Sequence, residues 1–279
     1  LIVLFNQMLS LSFVCADTLG CIDTASLSQQ TLFELVVEHM TGKSIFCEPD
    51  TDTFLDVHDW RGVAMDTNRN IVSVKWAPFG FSTGLHTPTV SKRMATGGSI
   101  ELNWLPSSVS TLEIIFLRLE GTVDTARLPR GLTKIDISSN AMTGTFDTSG
   151  LPKDLQSLQI HRNEFEGSLN LTNLPPQLMW LHAGFNKLSG SLDFTRLPDS
   201  LSEVYLQGNA FEGTMNLETL SPKLRIIMLH DNNLGQKDLR VGCPKTRFRG
   251  FKSTGISLTA SSIVMERKCI RKRSHLEIV

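Results

Sequence analysis

Between residues 98 and 235 the apolar and polar positions of the chain return on a fixed interval. Leu105, Leu128, Leu151, Leu174 and Leu197 are each followed by Pro, and Leu220, followed by Ser221, continues the series at the same spacing of 23 residues. Asparagines keep step at Asn140, Asn163, Asn186, Asn209 and Asn232, and glycines at Gly98, Gly121, Gly144, Gly167, Gly190 and Gly213. A period of this size marks a stacked-repeat architecture. In "LPKDLQSLQIHRNEFEGSL" the apolar positions are Leu151, Leu155, Leu158, Ile160, Phe165 and Leu169. Leu158 and Ile160 alternate as in a strand, which sends both side chains to one face. The equivalent pairs are Leu112/Ile114, Ile135/Ile137, Leu181/Ala183, Val204/Leu206 and Ile227/Leu229. Stacking lays these strands side by side in a parallel sheet and joins the apolar positions into one core that a single repeat could not close.

The recurring polar residues then have structural work. An Asn amide carries donors and an acceptor, so one inward Asn per coil can satisfy backbone groups where the strand turns away. The Gly of each repeat permits a tight bend, and Leu-Pro opens the return segment with a fixed φ. The sequence therefore predicts an α/β solenoid over 98–235 in which Asn140, Asn163, Asn186, Asn209 and Asn232 form a structural ladder.

The flanks read as caps, which an open solenoid needs at both ends. "SLSQQTLFELVVEHMT", 26–41, places Leu32, Leu35, Val36 and Met40 near helical spacing ahead of Gly42 and predicts a helix. "IVSVKW", 71–76, predicts a strand carrying Val72, Val74 and Trp76. Segment 84–97, rich in Thr, Ser and Gly, breaks the period and reads as an irregular first coil. The pattern fails again after Asn232, where Gln236 stands in place of Gly and the composition turns basic.

The repeat pattern L-x-x-L-x-L-x-x-N-x-[LF]-x-G-x-[LI] resembles leucine-rich repeats of the plant-type extracellular subclass. With "LP-x-x-L" in four successive coils, "LPRGL", "LPKDL", "LPPQL" and "LPDSL", it also looks like the secreted and surface-antigen leucine-rich proteins of protozoa. Trp60, Gly62 and Val63, placed between a helix and a strand, are similar to the N-terminal cap of plant-type proteins. Where that cap carries a Cys two residues after the Val, this chain has Met65, so the cap disulfide must differ. The resemblance implies a curved solenoid whose concave sheet binds partners, and it does not imply an enzyme. The organisation expected is a signal-peptide remnant (1–16), an N-terminal cap (17–97), the solenoid (98–235) and a C-terminal cap and tail (236–279).

Composition changes the picture little. Net charge is −1 over 279 residues, so no global field favours nucleic acid. The basic run 266–273 reads as a solvated tail. The opening "LIVLFNQMLSLSFVCAD" reads as the end of a signal peptide, with Val14 and Ala16 before a cleavage site. It is too short to span a bilayer, and no membrane span or anchor is visible elsewhere. Of five cysteines, cleavage removes Cys15, leaving Cys21, Cys47, Cys243 and Cys269. Three pairings are open, and the distribution suggests one bridge at each end, Cys21–Cys47 and Cys243–Cys269.

Chemistry is scarce. "TGKS" at 41–44 resembles the end of a phosphate loop, but Val37 stands where its first Gly belongs. No zincin or nucleophile-elbow motif occurs, and no cofactor or metal is expected. "NLT" at 170–172 makes Asn170 a glycosylation candidate. Positions flanking the inward pairs point out of the concave sheet. Trp180 and Tyr205, of types enriched at binding hot spots, fall on adjacent coils with His182 between them. A partner site is expected at Gln159, His161, Trp180, His182, Glu203 and Tyr205. His161 and His182 lack an evident third ligand for a metal. The function these features predict is a non-catalytic secreted or cell-surface module binding a protein or glycan. A structural surface-coat protein or a truncated receptor ectodomain is the alternative. No residue constellation recommends an enzyme.

Overall fold

The computed structural model describes residues 26–78, 97–217, 220–221, 223–235, 239–241 and 263–265. Helix α1, Gln29–Val37, starts at Ser28, whose Oγ accepts from Thr31 N. It is shorter than the expected 26–41 because its C-terminal extension is used elsewhere. Met40 forms an antiparallel bridge with Gly98, Thr41 N donates to Gly97 O, and Ser99 N donates to His39 O. These bonds join the cap to the first coil. They need Gly98, at φ +80°, where a Cβ would lie 2.3 Å from His39 O.

Leu32, Phe33, Val36 and Val37 bury the inner face of α1. Beneath them Phe46 stacks on Trp60 at 4.3 Å between ring centroids and meets Trp76 at 5.1 Å. Trp60 Nε1 donates to Leu55 O and Trp76 Nε1 to Arg61 O, so each buried indole is satisfied. Gly62 (φ +80°) lets the chain pass against the next strand: a Cβ there would lie 1.9 Å from Lys75 O. Strand β1, Val63–Met65, pairs antiparallel with β2, Ile71–Trp76, and β2 has the bounds expected from the pattern.

From β2 onward every neighbour in the sheet is parallel. β3 (Thr111–Ile114), β5 (Lys134–Asp136), β7 (Ser157–Gln159), β9 (Trp180–His182), β11 (Glu203–Tyr205) and β13 (Ile226–Met228) follow in the order β1-β2-β3-β5-β7-β9-β11-β13. The register sets Leu112, Ile135, Leu158, Leu181, Val204 and Ile227 rung upon rung. These and the second inward column, Ile114 to Leu229, are buried. Each fully buried aliphatic side chain contributes about 1.5–3 kcal/mol of transfer free energy, shared between adjacent coils. A second ladder runs along the other edge of each coil through β4 (Glu120–Gly121), β6 (Ala141–Met142), β8 (Glu166–Ser168), β10 (Lys187–Gly190), β12 (Ala210–Gly213) and β14 (Asn233–Leu234). The molecule is thus an α/β solenoid of the leucine-rich-repeat kind.

The polar punctuation does what backbone accounting demands. Asn163 donates through Nδ2 to Ile137 O (2.9 Å) and Ile160 O (3.1 Å), and its Oδ1 accepts from Met142 N (3.1 Å). Asn140, Asn186, Asn209 and Asn232 repeat the pattern. Each Asn reaches back one coil. The first coil carries buried Leu117 at this step, and its Leu117 and Leu119 amides donate to Asn140 Oδ1. Each Leu-Pro opens a turn in which the Pro carbonyl accepts from the third residue on, as in Pro152 O with Leu155 N. Ser221 O does the same with Leu224 N, which is why the series survives without Pro.

β15 (Leu239–Val241) and β16 (Ile263–Met265) pair in parallel. Cys47 is buried, with Sγ donating to Lys43 O at 3.5 Å. Cys15, Cys21, Cys243 and Cys269, the expected signal remnant and nearly all of 84–97 lie outside the described residues. Among the described residues no helix is long and apolar enough to cross a membrane.

Candidate functional site

The outer face of the concave sheet carries three columns of side chains, one on each side of the inward pairs and one between them. Its two ends differ. Near β3 the charges close on one another: Glu113 Oε1 lies 2.8 Å from Lys134 Nζ and 3.1 Å from Lys75 Nζ. Burial pushes the Glu113 carboxyl up, but the hydrogen bonds and charges of Lys134 and Lys75 outweigh it and hold the group below the usual carboxylate range. Beside it Asp136 Oδ1 accepts from Ser138 N and Oγ.

From β7 to β13 the face is left open. The rings of His182 and Tyr205 meet edge to face at 4.3 Å, and those of His161 and His182 at 6.4 Å. Burial holds His161 below the usual histidine range against the pull of Asp136. Burial, then the neighbouring His161, does the same to His182 against Glu203 and Asp136. His182 Nε2 is 3.8 Å from Glu203 Oε2, an ion-pair distance too long for a hydrogen bond. Four covered polar atoms in this stretch have no hydrogen-bond partner: His161 Nδ1, His182 Nε2, Gln207 Oε1 and His230 Nδ1. Buried polar atoms are normally paired; these four lie on four successive coils, and two more, Ser73 Oγ and Ser139 Oγ, lie toward the N-terminal end of the sheet.

The expected site residues fall on this stretch in different ways. His182 contacts His161, Tyr205 and Glu203. Trp180 pairs in register with Glu203 and stands 36% exposed, as a flat apolar surface. Gln159 is in register with His182 but makes none of these contacts. Gln207 and His230 stand one position after the inward pairs Val204/Leu206 and Ile227/Leu229, in the column of His161. Gln207 lies over Gly184, where a Cβ would come 2.8 Å from its amide carbon.

A further column escaped the sequence reading altogether. Phe116, Ser139, Arg162, Phe185, Gly208 and Asp231 all have φ between +55° and +66°. They stand 23 residues apart, each one position before the Asn step. A left-handed conformation is costly for bulky residues, yet only Gly208 and Asp231 are types that favour it. The column edges the site: Phe185 is 44% exposed, and the Arg162 guanidinium sits 5.4 Å from the centre of its ring. The spacing was the only available signal.

Elsewhere, a depression of about 580 Å³ on the N-terminal cap is lined by Gln30, Glu34, Asp56 and His58 among others. Its polar groups pair locally, Gln30 with Glu34, Leu55 and Val57, and Asp56 with His58. Asn170 is exposed at the start of a 3-10 turn, Leu171–Asn173, and its Oδ1 accepts from Thr172 N and Oγ1. Among the described residues no group of three or more His, Cys, Asp or Glu side chains is placed to hold a metal ion.

No protein-family model matches the sequence, and no curated protein does. Among solved structures the chain is similar to a pollen receptor kinase 3 at 18% identity, covering 82% of this chain and 97% of that one, with a TM-score of 0.46. The BIR3–SERK2 complex from Arabidopsis thaliana is 18% identical over 76% of this chain and 97% of that one, with a TM-score of 0.42. A plant ice-binding protein is 15% identical over 81% and 89%, with a TM-score of 0.43. These likenesses concern repeat architecture and carry nothing about a ligand.

Proposed function

We propose that the chain is a non-catalytic leucine-rich-repeat binding module, secreted or displayed at a cell surface, that recognises a protein or glycan partner on its concave face. The observation that carries this reading is the contrast along that face. The β3 end satisfies its own charges, whereas the stretch from β7 to β13 presents exposed Trp180 on the same face as four of the six covered polar atoms that lack partners among the described residues. Buried polar groups without partners each cost about 1–3 kcal/mol, and an incoming partner recovers that cost. Gln159, His161, Trp180, His182, Glu203 and Tyr205 form the contact surface, and Gln207 and His230 join it in this reading. Secretion rests on the signal-like opening and the terminal cysteines, and Asn170 is a glycan acceptor in that setting.

The test is a pull-down comparing the chain, made in an oxidising host, with a Trp180→Ser/Tyr205→Ser double variant of equal stability. Partners held by the first and lost by the second support the reading. Identical partner sets for both baits refute the placement on this face. Titration of thiols on natively sourced protein tests the compartment: disulfide-bonded cysteines agree with secretion, and a full set of free thiols contradicts it.

A further inference from the structure

The site from β7 to β13 has a chemistry that narrows its occupant. Its four unpartnered atoms comprise three imidazole nitrogens and one amide oxygen. Gln207 Oε1 only accepts, whereas a neutral imidazole nitrogen donates or accepts according to tautomer. A hydroxyl does both from one atom and so matches all four positions in either tautomer. A peptide N–H or C=O does only one, and among the described residues the backbone of β7, β9 and β11 is laddered on both sides, so an added strand could pair only beyond β13 and not over the orphan atoms of the inner strands. Each orphan atom is itself covered while its residue is only partly buried. A ligand reaches such an atom only after a turn about χ2, or χ3 in Gln207, so binding on this proposal includes that rotation.

Charge points the same way. Glu203, Asp136 and Asp231 border the set, and among the described residues the cation whose charge acts on His161, Arg162, lies against the Phe185 ring. An anionic ligand would meet carboxylates there. The apolar part of the face consists of flat rings: exposed Trp180 and the half-buried ring of Tyr205, on adjacent strands in register with Glu203 and His182. Rings of this kind accept the C–H faces of a saturated ring. Successive strands lie about 4.8 Å apart, close to the length of one pyranose unit.

Resting on the concave-face reading above, we propose that this stretch is a subsite for an uncharged, hydroxyl-rich ligand, a neutral oligosaccharide. Trp180 and Tyr205 are the stacking surfaces, and His161, His182, Gln207 and His230 supply the hydrogen bonds.

The experiment probes the full chain on immobilised neutral tetra- to hexasaccharides of the gluco, manno, galacto and N-acetylglucosamine series. Uronic-acid oligomers and a random dodecapeptide library run in parallel. The expected result is retention on at least one neutral series. Affinity should fall about tenfold or more in Gln207→Leu and in Trp180→Ala, and stay unchanged in Thr145→Ala on the opposite ladder, with equal urea midpoints for all three. Failure to bind any neutral oligosaccharide overturns the proposal, as does binding that both concave variants leave intact or a preference for the uronic acids. Peptide binding lost in the same two variants, without oligosaccharide binding, overturns this ligand class and leaves the concave-face module standing. Peptide binding that neither variant weakens, again without oligosaccharide binding, sinks both.

Discussion

Replacing Asn163 by Ala removes three bonds of 3.1 Å or shorter at once, and a longer one to His161 O at 3.5 Å. Its Nδ2 holds Ile137 O and Ile160 O, its Oδ1 holds Met142 N, and the residue is 6% exposed. A buried backbone group left without a partner costs about 1–3 kcal/mol. Water entering the vacated space recovers part of that, so the expected loss is about 3–5 kcal/mol, at the upper end for one substitution. Urea unfolding followed by far-UV circular dichroism measures it as a shift in midpoint at unchanged slope. Asn173→Ala, at an exposed position, is the control. An Asn163→Ala loss below about 1 kcal/mol, comparable with the control, refutes the account of these asparagines as obligatory backbone partners. Asn163→Asp sharpens the test. It keeps the acceptor but sets an oxygen against two carbonyls, so at neutral pH it is at least as damaging as Ala. Protonation restores one donor, which raises the folded-state pKa above the unfolded value. That stabilisation is fully present below the unfolded pKa and lost as pH rises through the folded one. The Asp variant therefore gains on the Ala variant as pH falls from 7 towards 4.

At the left-handed column two substitutions should move stability in opposite directions. Ser139→Gly removes a side chain at φ +57° and an orphan hydroxyl and should stabilise by about 0.5–1.5 kcal/mol. Gly208→Ala, whose Cβ would meet Phe185 Cδ1 at 2.6 Å, should cost about 1–2 kcal/mol; both read out in thermal midpoints. Glu113→Gln should cost about 1–3 kcal/mol at pH 7. Because the folded-state pKa of Glu113 is depressed, wild-type stability from this site is present above the unfolded pKa and lost as pH falls through the folded one, so the two proteins converge in acid. His161 and His182 are also depressed, by burial. Their contribution is present above the ordinary histidine value of about 6.5 and disappears as pH falls through the folded values. His161→Gln/His182→Gln should flatten the fall in urea midpoint between pH 7 and pH 5.

Rungs were legible in the sequence because every coil repeats them. An inward pair such as Leu158/Ile160 is defined by alternation, and the 23-residue step then fixes its neighbours at Ile135/Ile137 and Leu181/Ala183. The helix expected over 26–41 was too long because its C-terminal bound depends on Gly98, far along the chain, whose bridge to Met40 draws the backbone out of the helix. The left-handed column was illegible for another reason. Positive φ is a backbone event, and Phe116, Ser139, Arg162 and Phe185 are not residue types that signal it; of the column only Gly208 and Asp231 are types that favour it. In the site, Trp180, His182 and Tyr205 could be placed together from register alone. That Gln207 covers Gly184, and that certain ring nitrogens lack partners, depends on side-chain packing that no pattern of types reveals.

Every asparagine of the ladder reaches back: Asn163 binds groups of its own coil and of the coil before it. A coil emerging from the ribosome therefore has its own strand and turn before it has the amide that completes it, which arrives 23 residues later. Synthesis runs one coil ahead of completion throughout. The first coil, with Leu117 at the Asn step, sends no Asn amide backward, and its Leu117 and Leu119 amides wait for Asn140. The stack is built in one direction, and at any moment the newest coil is the one whose backbone still waits for the next.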